Sequence, residues 1–222
     1  MDELAELIQN FAKDAAAFVT VVDERVVVEL ANAVIAEQFG SAPQTLVGKP
    51  LVELLPGNRG VERARVIAQV IADGETRCYL GMAGGVVQRS VFRRVSLKTG
   101  RPTCLVTSVP LIRHKPSLED KGQAVQLFAE HDFGPLNTMT SRELEVYRQL
   151  GLSRSVPAIA KVLHRSARTV ETHRESIGQK LGVVGRVALA QHSSESGVTL
   201  LSDAQFAALL ACRRPAASSD AE

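Results

Sequence analysis

Explicit helix punctuation confines the fold of residues 139–192 more tightly than any other feature of the chain. Thr140-Ser141-Arg142-Glu143 is a capping box. The Thr140 hydroxyl can accept from the Glu143 N–H while the Glu143 carboxylate reaches back to the Thr140 N–H. Leu144, Tyr147 and Leu150 then give a first helix its apolar stripe. A second helix starts near Ser155; Pro157 is tolerated there because first-turn N–H groups have no intrahelical partner. Ile159, Ala160 and Leu163 form its inner face, and His164-Arg165 make a short turn. Ser166 caps a third helix to about Leu181, with Val170, Ile177 and Leu181 inward and Gly182 as the stop. Val187, Leu189 and Ala190 supply a fourth helix.

Two helices joined by a tight turn, the second longer and basic at its start, follow the helix-turn-helix plan. In that plan one helix fills the major groove, its N-terminal residues reach base edges, and its free N–H groups suit a phosphate. The net charge of +2 over 222 residues hides a local concentration. Residues 139–192 hold nine basic residues (Arg142, Arg148, Arg154, Lys161, Arg165, Arg168, Arg174, Lys180 and Arg186) against four acidic ones, whereas residues 1–112 carry twelve of each. Phosphate-binding surfaces concentrate charge this way, although a solvated basic surface gives the same count. Helical spacing places Arg168, Glu171, Thr172, Glu175 and Gln179 on the outward side of the third helix, away from Val170 and Ile177.

The run MTSRELEVYRQL, IAKVL, SARTVETHRESIGQKLGV and RVALA resembles the LuxR/FixJ-type helix-turn-helix. Matching positions include Thr140, Arg142, Glu143, Glu145, Val146, Ile159, Ala160, Leu163, Ser166, Thr169, Val170, His173, Ile177, Lys180 and Arg186. The resemblance implies that the third helix enters the major groove, that Glu171, Thr172 and Glu175 face bases, and that His173, Lys180 and Arg186 approach the backbone. Arg168, at the start of that helix, joins them on geometric grounds, and Thr169 and Gln179 complete the expected surface. His173 also has a packed reading beside Ile177. The chain departs from the family pattern at Pro157-Ala158, at Gln149 and at Glu175, where a basic residue is usual. A carboxylate can accept from a cytosine amino group but repels phosphate.

Upstream, Phe18 to Val22 and Val26 to Leu30 are β-branched runs around a turn, Asp23-Glu24-Arg25, and predict a hairpin. Residues 31–55 read as short helical pieces, Val61 to Ile71 as a helix, and Arg77 to Met82, Val86 to Leu97 and Thr103 to Ile112 as strands. The order implies an antiparallel sheet with helices on one face. Residues 18–112 resemble a PAS domain, on Glu29-Leu30-Ala31-Asn32, Phe39-Gly40, Leu46-Val47-Gly48-Lys49-Pro50-Leu51 and Leu54-Leu55-Pro56. That resemblance implies a cavity between sheet and helices, and an exposed sheet face suited to dimerisation. Its cofactor remains unknown. The flavin-type reactive Cys is missing from Gly57 to Glu62, and residues 1–112 contain no His for haem. Cys78 or Cys104 could act as a thiolate ligand, but buried structural Cys is the commoner case. The Arg59, Arg63 and Arg65 cluster reads as a solvated helix face, or less favourably as an anion site.

The expected architecture is therefore α+β. It comprises an N-terminal helix (1–17), a PAS-like antiparallel sheet with helices (18–112), and a linker (113–138) interrupted by a short helical piece at Gly122 to Glu130. A four-helix helix-turn-helix domain (139–194) and a tail (195–222) with a helix at Asp203 to Cys212 follow. The expected function is sequence-specific regulation of transcription by a cytoplasmic homodimer on double-stranded DNA, with RNA polymerase as a further contact. The alternative is a protein-interaction adaptor whose helix-turn-helix has lost DNA affinity. No apolar run reaches the ~20 residues of a membrane span, and no secretory signal pattern opens the sequence. Three cysteines without CxxC spacing argue against a disulfide framework or a zinc site. The chain lacks a phosphate-cradling Gly-rich loop, a G-x-S-x-G elbow and a receiver's acidic pair, so an enzyme or a phosphoryl acceptor is not expected.

Overall fold

The computed structural model describes residues 16–22, 25–96, 100–114 and 124–213. The chain divides into two compact units, Met1–Gly81 with Gln88–Glu130, and Met82–Val87 with His131–Glu222.

The strands are β1 (Ala16–Val22), β2 (Val26–Ala31), β3 (Arg77–Ala83), β4 (Val86–Ser96), β5 (Pro102–Pro110) and β6 (Val125–Leu127). They form one sheet in the order β2-β1-β5-β4-β3-β6. The β-branched runs produce the expected hairpin, with Val22 opposite Val26 and a bulge between Val19 and Thr20. β5 pairs antiparallel with both β1 and β4, and sets Val106 opposite Phe92. The sheet is mixed rather than purely antiparallel, because β6 runs parallel to β3 with Tyr79 opposite Gln126. β6 also replaces the helical piece expected at Gly122 to Glu130. Three strand residues are too few to reveal a period in the sequence, and their pairing with β3 decides their conformation. Of the helix expected over residues 1–17, Ala16 and Ala17 belong to β1 and the rest lies outside the described residues.

Four helices follow the first hairpin: α1 (Ala33–Gln38), α2 (Pro43–Leu46), α3 (Leu51–Leu54) and α4 (Asn58–Asp73). The Asn32 side chain caps α1 by accepting from the Ile35 N–H at 3.0 Å. Their apolar residues close over the sheet in one core that includes Val28, Ile35, Leu51, Ile67, Val70, Phe92, Cys104, Val106 and Phe128. Phe128 stacks on Tyr79 with ring centroids 4.5 Å apart, and the Arg63 guanidinium lies 3.7 Å from its ring centre. Arg63 is thus neither a solvated helix residue nor an anion site. Its side chain is 12% exposed and paired with Glu62 at 2.7 Å, and burial pulls its pKa down to about 10. The Glu62 carboxylate also accepts from the N–H groups of Ala129 (2.7 Å) and Glu130 (3.1 Å).

The second unit holds α5 (Ser141–Gly151), α6 (Val156–Val162), α7 (Ala167–Leu181), α8 (Arg186–Glu195) and α9 (Asp203–Ala211), with a 3-10 turn at Gly134–Thr138. Residues 82–87 are built into it: Gly85 N–H donates to Asp132 O at 3.1 Å, Asp132 N–H to Met82 O at 3.0 Å, and Val87 N–H to Ser196 O at 2.8 Å. Gly134 is required in this weave, since its φ is +50° and a Cβ would sit 2.5 Å from the Gly84 carbonyl carbon. Leu144, Tyr147, Leu150, Ile159, Val170, Ile177 and Leu189 are fully buried between the helices. Val187 differs from expectation: it is 81% exposed, and Leu189 carries the packing of α8.

Candidate nucleic-acid interface

The first three helices of the bundle start where their cap residues stand. Thr140 Oγ1 accepts from the Glu143 N–H at 3.2 Å, and Glu143 Oε2 accepts from the Thr140 N–H at 2.6 Å. Ser155 and Ser166 cap α6 and α7 through the N–H groups of Ala158 (3.4 Å) and Thr169 (3.1 Å). The Thr169 hydroxyl lies 2.8 Å from Ser166 Oγ, so Thr169 serves the cap of α7. His164, at φ +52°, turns the chain between α6 and α7. Gln149, buried where an apolar residue is usual, accepts from Arg154 Nη1 at 2.7 Å through its side-chain oxygen.

α7 has a packed side and an open side. Val170 and Ile177 are buried, whereas Arg168, Thr172, Glu175 and Gln179 are exposed at the i, i+4, i+7, i+11 spacing of one helix face. The Thr172 hydroxyl donates to Arg168 O at 3.1 Å, and its oxygen can still accept a hydrogen bond. Glu171, half-buried, is paired with Arg174 at 2.6 Å. His173, half-buried, lines a cleft with Arg142, Glu145, Val146, Leu163, Arg165 and Val170. Arg186 donates to Arg154 O at 3.2 Å and is otherwise exposed.

The basic residues of this segment fall into two groups. Lys161, Arg165 and Arg168 are exposed around the α6–α7 turn, with Arg154 and Arg186 exposed beyond it. Arg142, Arg148, Arg174 and Lys180 are instead paired with carboxylates. Arg148 is buried, donating to Asp203 Oδ1 at 2.8 Å and Leu201 O at 2.7 Å with its guanidinium over Phe206. Lys180 Nζ lies 2.7 and 2.9 Å from the two oxygens of Glu143, which also accepts from Ser176 Oγ at 2.6 Å. Burial alone would raise the Glu143 pKa, but the bonds from Lys180, Ser176 and Thr140 outweigh it and hold the carboxyl at about 2.

Sequence reasoning recognised Glu143 only as a cap; its second role, anchoring α7, had a trace in the shared family pattern that includes Lys180. Ser176 and Asp203 carried no such signal. In the first unit a small cavity is lined entirely by apolar side chains: Val28, Ile35, Phe39, Leu46, Leu51 and Leu54. Cys104 is fully buried, and that burial pushes its thiol up to about 12, which suits a packing role rather than a thiolate ligand. Among the described residues no three His, Cys, Asp or Glu side chains gather where they could hold a metal ion, and no helix is long and apolar enough to cross a membrane.

Residues 137–193 match the family model for bacterial regulatory proteins of the luxR family. Residues 2–117, more than half of the chain, match the PAS fold model. The nitrate/nitrite response regulator protein homolog of Haemophilus influenzae is 29% identical over 126 residues, which cover 56% of this chain. The match spans 58% of the length of that relative. Among solved structures, VqmA from Vibrio cholerae in a complex with ligand and DNA is 17% identical, with 89% of each chain covered and a TM-score of 0.47. A domain of an HTR-like protein from Haloarcula marismortui is 16% identical, with 45% of this chain and 99% of that one covered and a TM-score of 0.40. The extent of the PAS match, joined to the luxR-family match over α5 to α8, establishes that this chain belongs to the PAS-fold family and carries a luxR-family regulatory domain.

Proposed function

We propose that the chain is a sequence-specific DNA-binding transcription regulator that acts as a cytoplasmic homodimer, with the PAS unit sensing a signal or joining two copies. The observation that carries this reading is the open face of α7, where Arg168, Thr172, Glu175 and Gln179 stand in one row beside the exposed Lys161 and Arg165. A capped helix with such a row fits the major groove, and its first-turn N–H groups favour a phosphate. Thr172 and Glu175 meet base edges. His173 and Arg186 approach the backbone, Thr169 fixes the helix start, and Lys180 acts through Glu143. Two copies suit half-sites about one helical turn apart. Val184 and Val187, 93% and 81% exposed, offer apolar surface for such pairing. Contact with RNA polymerase is the step that would turn occupancy into altered transcription.

The test is selection of bound sequences from a randomised duplex library, followed by affinity measurements on the winners. Arg186→Ala is expected to weaken all sequences about equally and to lower the salt slope by about 0.9, the value for one lost phosphate contact. Thr172→Ala is expected to shift preference at one position of each half-site. An Arg186→Ala change confined to one base position would overturn these roles. Absence of salt-dependent duplex binding would favour the adaptor reading instead.

A further inference from the structure

Two carboxylates, Glu171 and Glu175, stand on the side of α7 that must approach a polyanion, and their surroundings differ. Arg174 Nε is 2.6 Å from Glu171 Oε2, within direct hydrogen-bond range, whereas Arg174 Nη2 is 3.9 Å from Glu175 Oε1. The Glu175 side chain is 67% exposed, against 44% for Glu171 and 25% for Arg174. At about 100° per residue, Glu175 lies about 20° from Arg168, at the edge of the open row on the side of Glu171. Arg174 lies about 60° beyond Glu171 on the flank leading to the packed face. Its bond therefore draws the Glu171 carboxylate away from the row and cancels its charge, and leaves Glu175 only loosely paired.

We propose that Arg174 is a positioning residue that holds Glu171 out of the groove, so that Glu175 is the one carboxylate that reads a base, selecting cytosine in each half-site. This rests on the DNA-binding reading above. A carboxylate only accepts hydrogen bonds. Guanine N7 and O6 and thymine O4 are also acceptors, so a carboxylate gains nothing there; adenine N6 donates but sits beside its own N7 acceptor, which repels a carboxylate, whereas the cytosine N4 amino group donates with no acceptor on the same base edge. A second unrestrained carboxylate would add repulsion from the phosphates without a matching donor.

The experiment uses the full chain and duplexes selected from a randomised library, with affinity measured by fluorescence anisotropy and helix content by circular dichroism. The wild type is expected to enrich cytosine at one position per half-site, and Glu175→Gln to cut that preference about tenfold. Glu171→Gln leaves it unchanged. Arg174→Gln frees Glu171 and lowers affinity across sequences, on the order of tenfold, and Glu171→Gln added to it restores affinity to within about twofold. A cytosine preference that moves with Glu171→Gln, or that ignores Glu175→Gln, overturns the assignment. So does a double variant no better than Arg174→Gln, with a salt slope lower by about one, which would make Arg174 a phosphate ligand. A wild type that enriches no sequence overturns the DNA-binding reading itself, and this assignment with it.

Discussion

Lys180 Nζ bridges both carboxylate oxygens of Glu143, at 2.9 Å from Oε1 and 2.7 Å from Oε2, and so ties the last turn of α7 to the first turn of α5. The same carboxylate closes the α5 cap and receives Ser176 from the middle of α7. One buried group therefore fixes the direction in which the open face of α7 points.

Glu143→Ala removes four hydrogen bonds at once. It is expected to cost about 3 kcal/mol, the range for breaking a partly buried charged network. Lys180→Ala leaves the carboxylate held by Thr140 and Ser176 and is expected to cost about 1–2 kcal/mol. Urea unfolding followed by circular dichroism measures both. A Lys180→Ala loss equal to or above that of Glu143→Ala would contradict the network.

The same site sets an acid limit. Glu143 sits at about 2 in the folded chain against an ordinary 4.5, so the native state holds the charged form more tightly than the unfolded chain. Its contribution is full above pH 4.5 and is lost as pH falls toward 2. The stability gap between wild type and Glu143→Gln is expected to be constant from pH 7 to pH 5 and to narrow below that. A gap independent of pH down to 2.5 would show that the charge is not what matters.

Arg148 illustrates how the sequence could mislead. Its charge counted toward a phosphate-binding surface, yet it is buried and fastens α9 through Asp203, Leu201 and Phe206. Arg148→Ala is expected to leave the salt slope of DNA binding unchanged, and to cost about 2 kcal/mol through lost hydrogen bonds and packing. Faster hydrogen exchange in residues 203–211 reports the loosening of α9. A reduced salt slope would put Arg148 back among the DNA contacts.

In the sensor unit, Glu62 holds the segment that follows β6 by accepting from the Ala129 and Glu130 N–H groups, while Phe128 fills the core beneath. Glu62→Ala is expected to speed hydrogen exchange at those two amides at least tenfold, as a lost bond of about 1.4 kcal/mol would do, with the core amides of α4 unaffected. Phe128→Ala, which empties a buried aromatic position, is expected to cost about 3–5 kcal/mol. Unchanged exchange at Ala129 and Glu130 in Glu62→Ala would show that the segment is held by β6 alone.

The features legible in the sequence were those written locally. Thr140, Ser155 and Ser166 mark helix starts, Gly182 a helix stop, and the valine runs at 18–22 and 26–30 a hairpin. All of these act within a few residues, where capping and β-branching decide the conformation. What escaped was written across long separations. β6 exists because β3 offers it an edge, Arg63 is buried because Phe128 arrives from more than sixty residues away, and Glu143 meets Lys180 only after three helices have packed. At the interface, residue types placed Arg168, Thr172, Glu175 and Gln179 on the open face of α7. The pairings that occupy Arg148 and Lys180 depend on packing across long separations that spacing does not encode, whereas the i, i+3 pair of Glu171 and Arg174 lies within reach of helical spacing.

The central claim is that α7 presents a cationic-flanked open face to duplex DNA. The most direct measurement is the affinity of the full chain for a selected duplex, followed by anisotropy between 50 and 200 mM salt. The account predicts a straight line of log affinity against log salt, with a slope of about −0.9 for each phosphate engaged, made shallower by Arg186→Ala and not by Arg148→Ala. No binding at the lowest salt, or an affinity indifferent to salt, would contradict it.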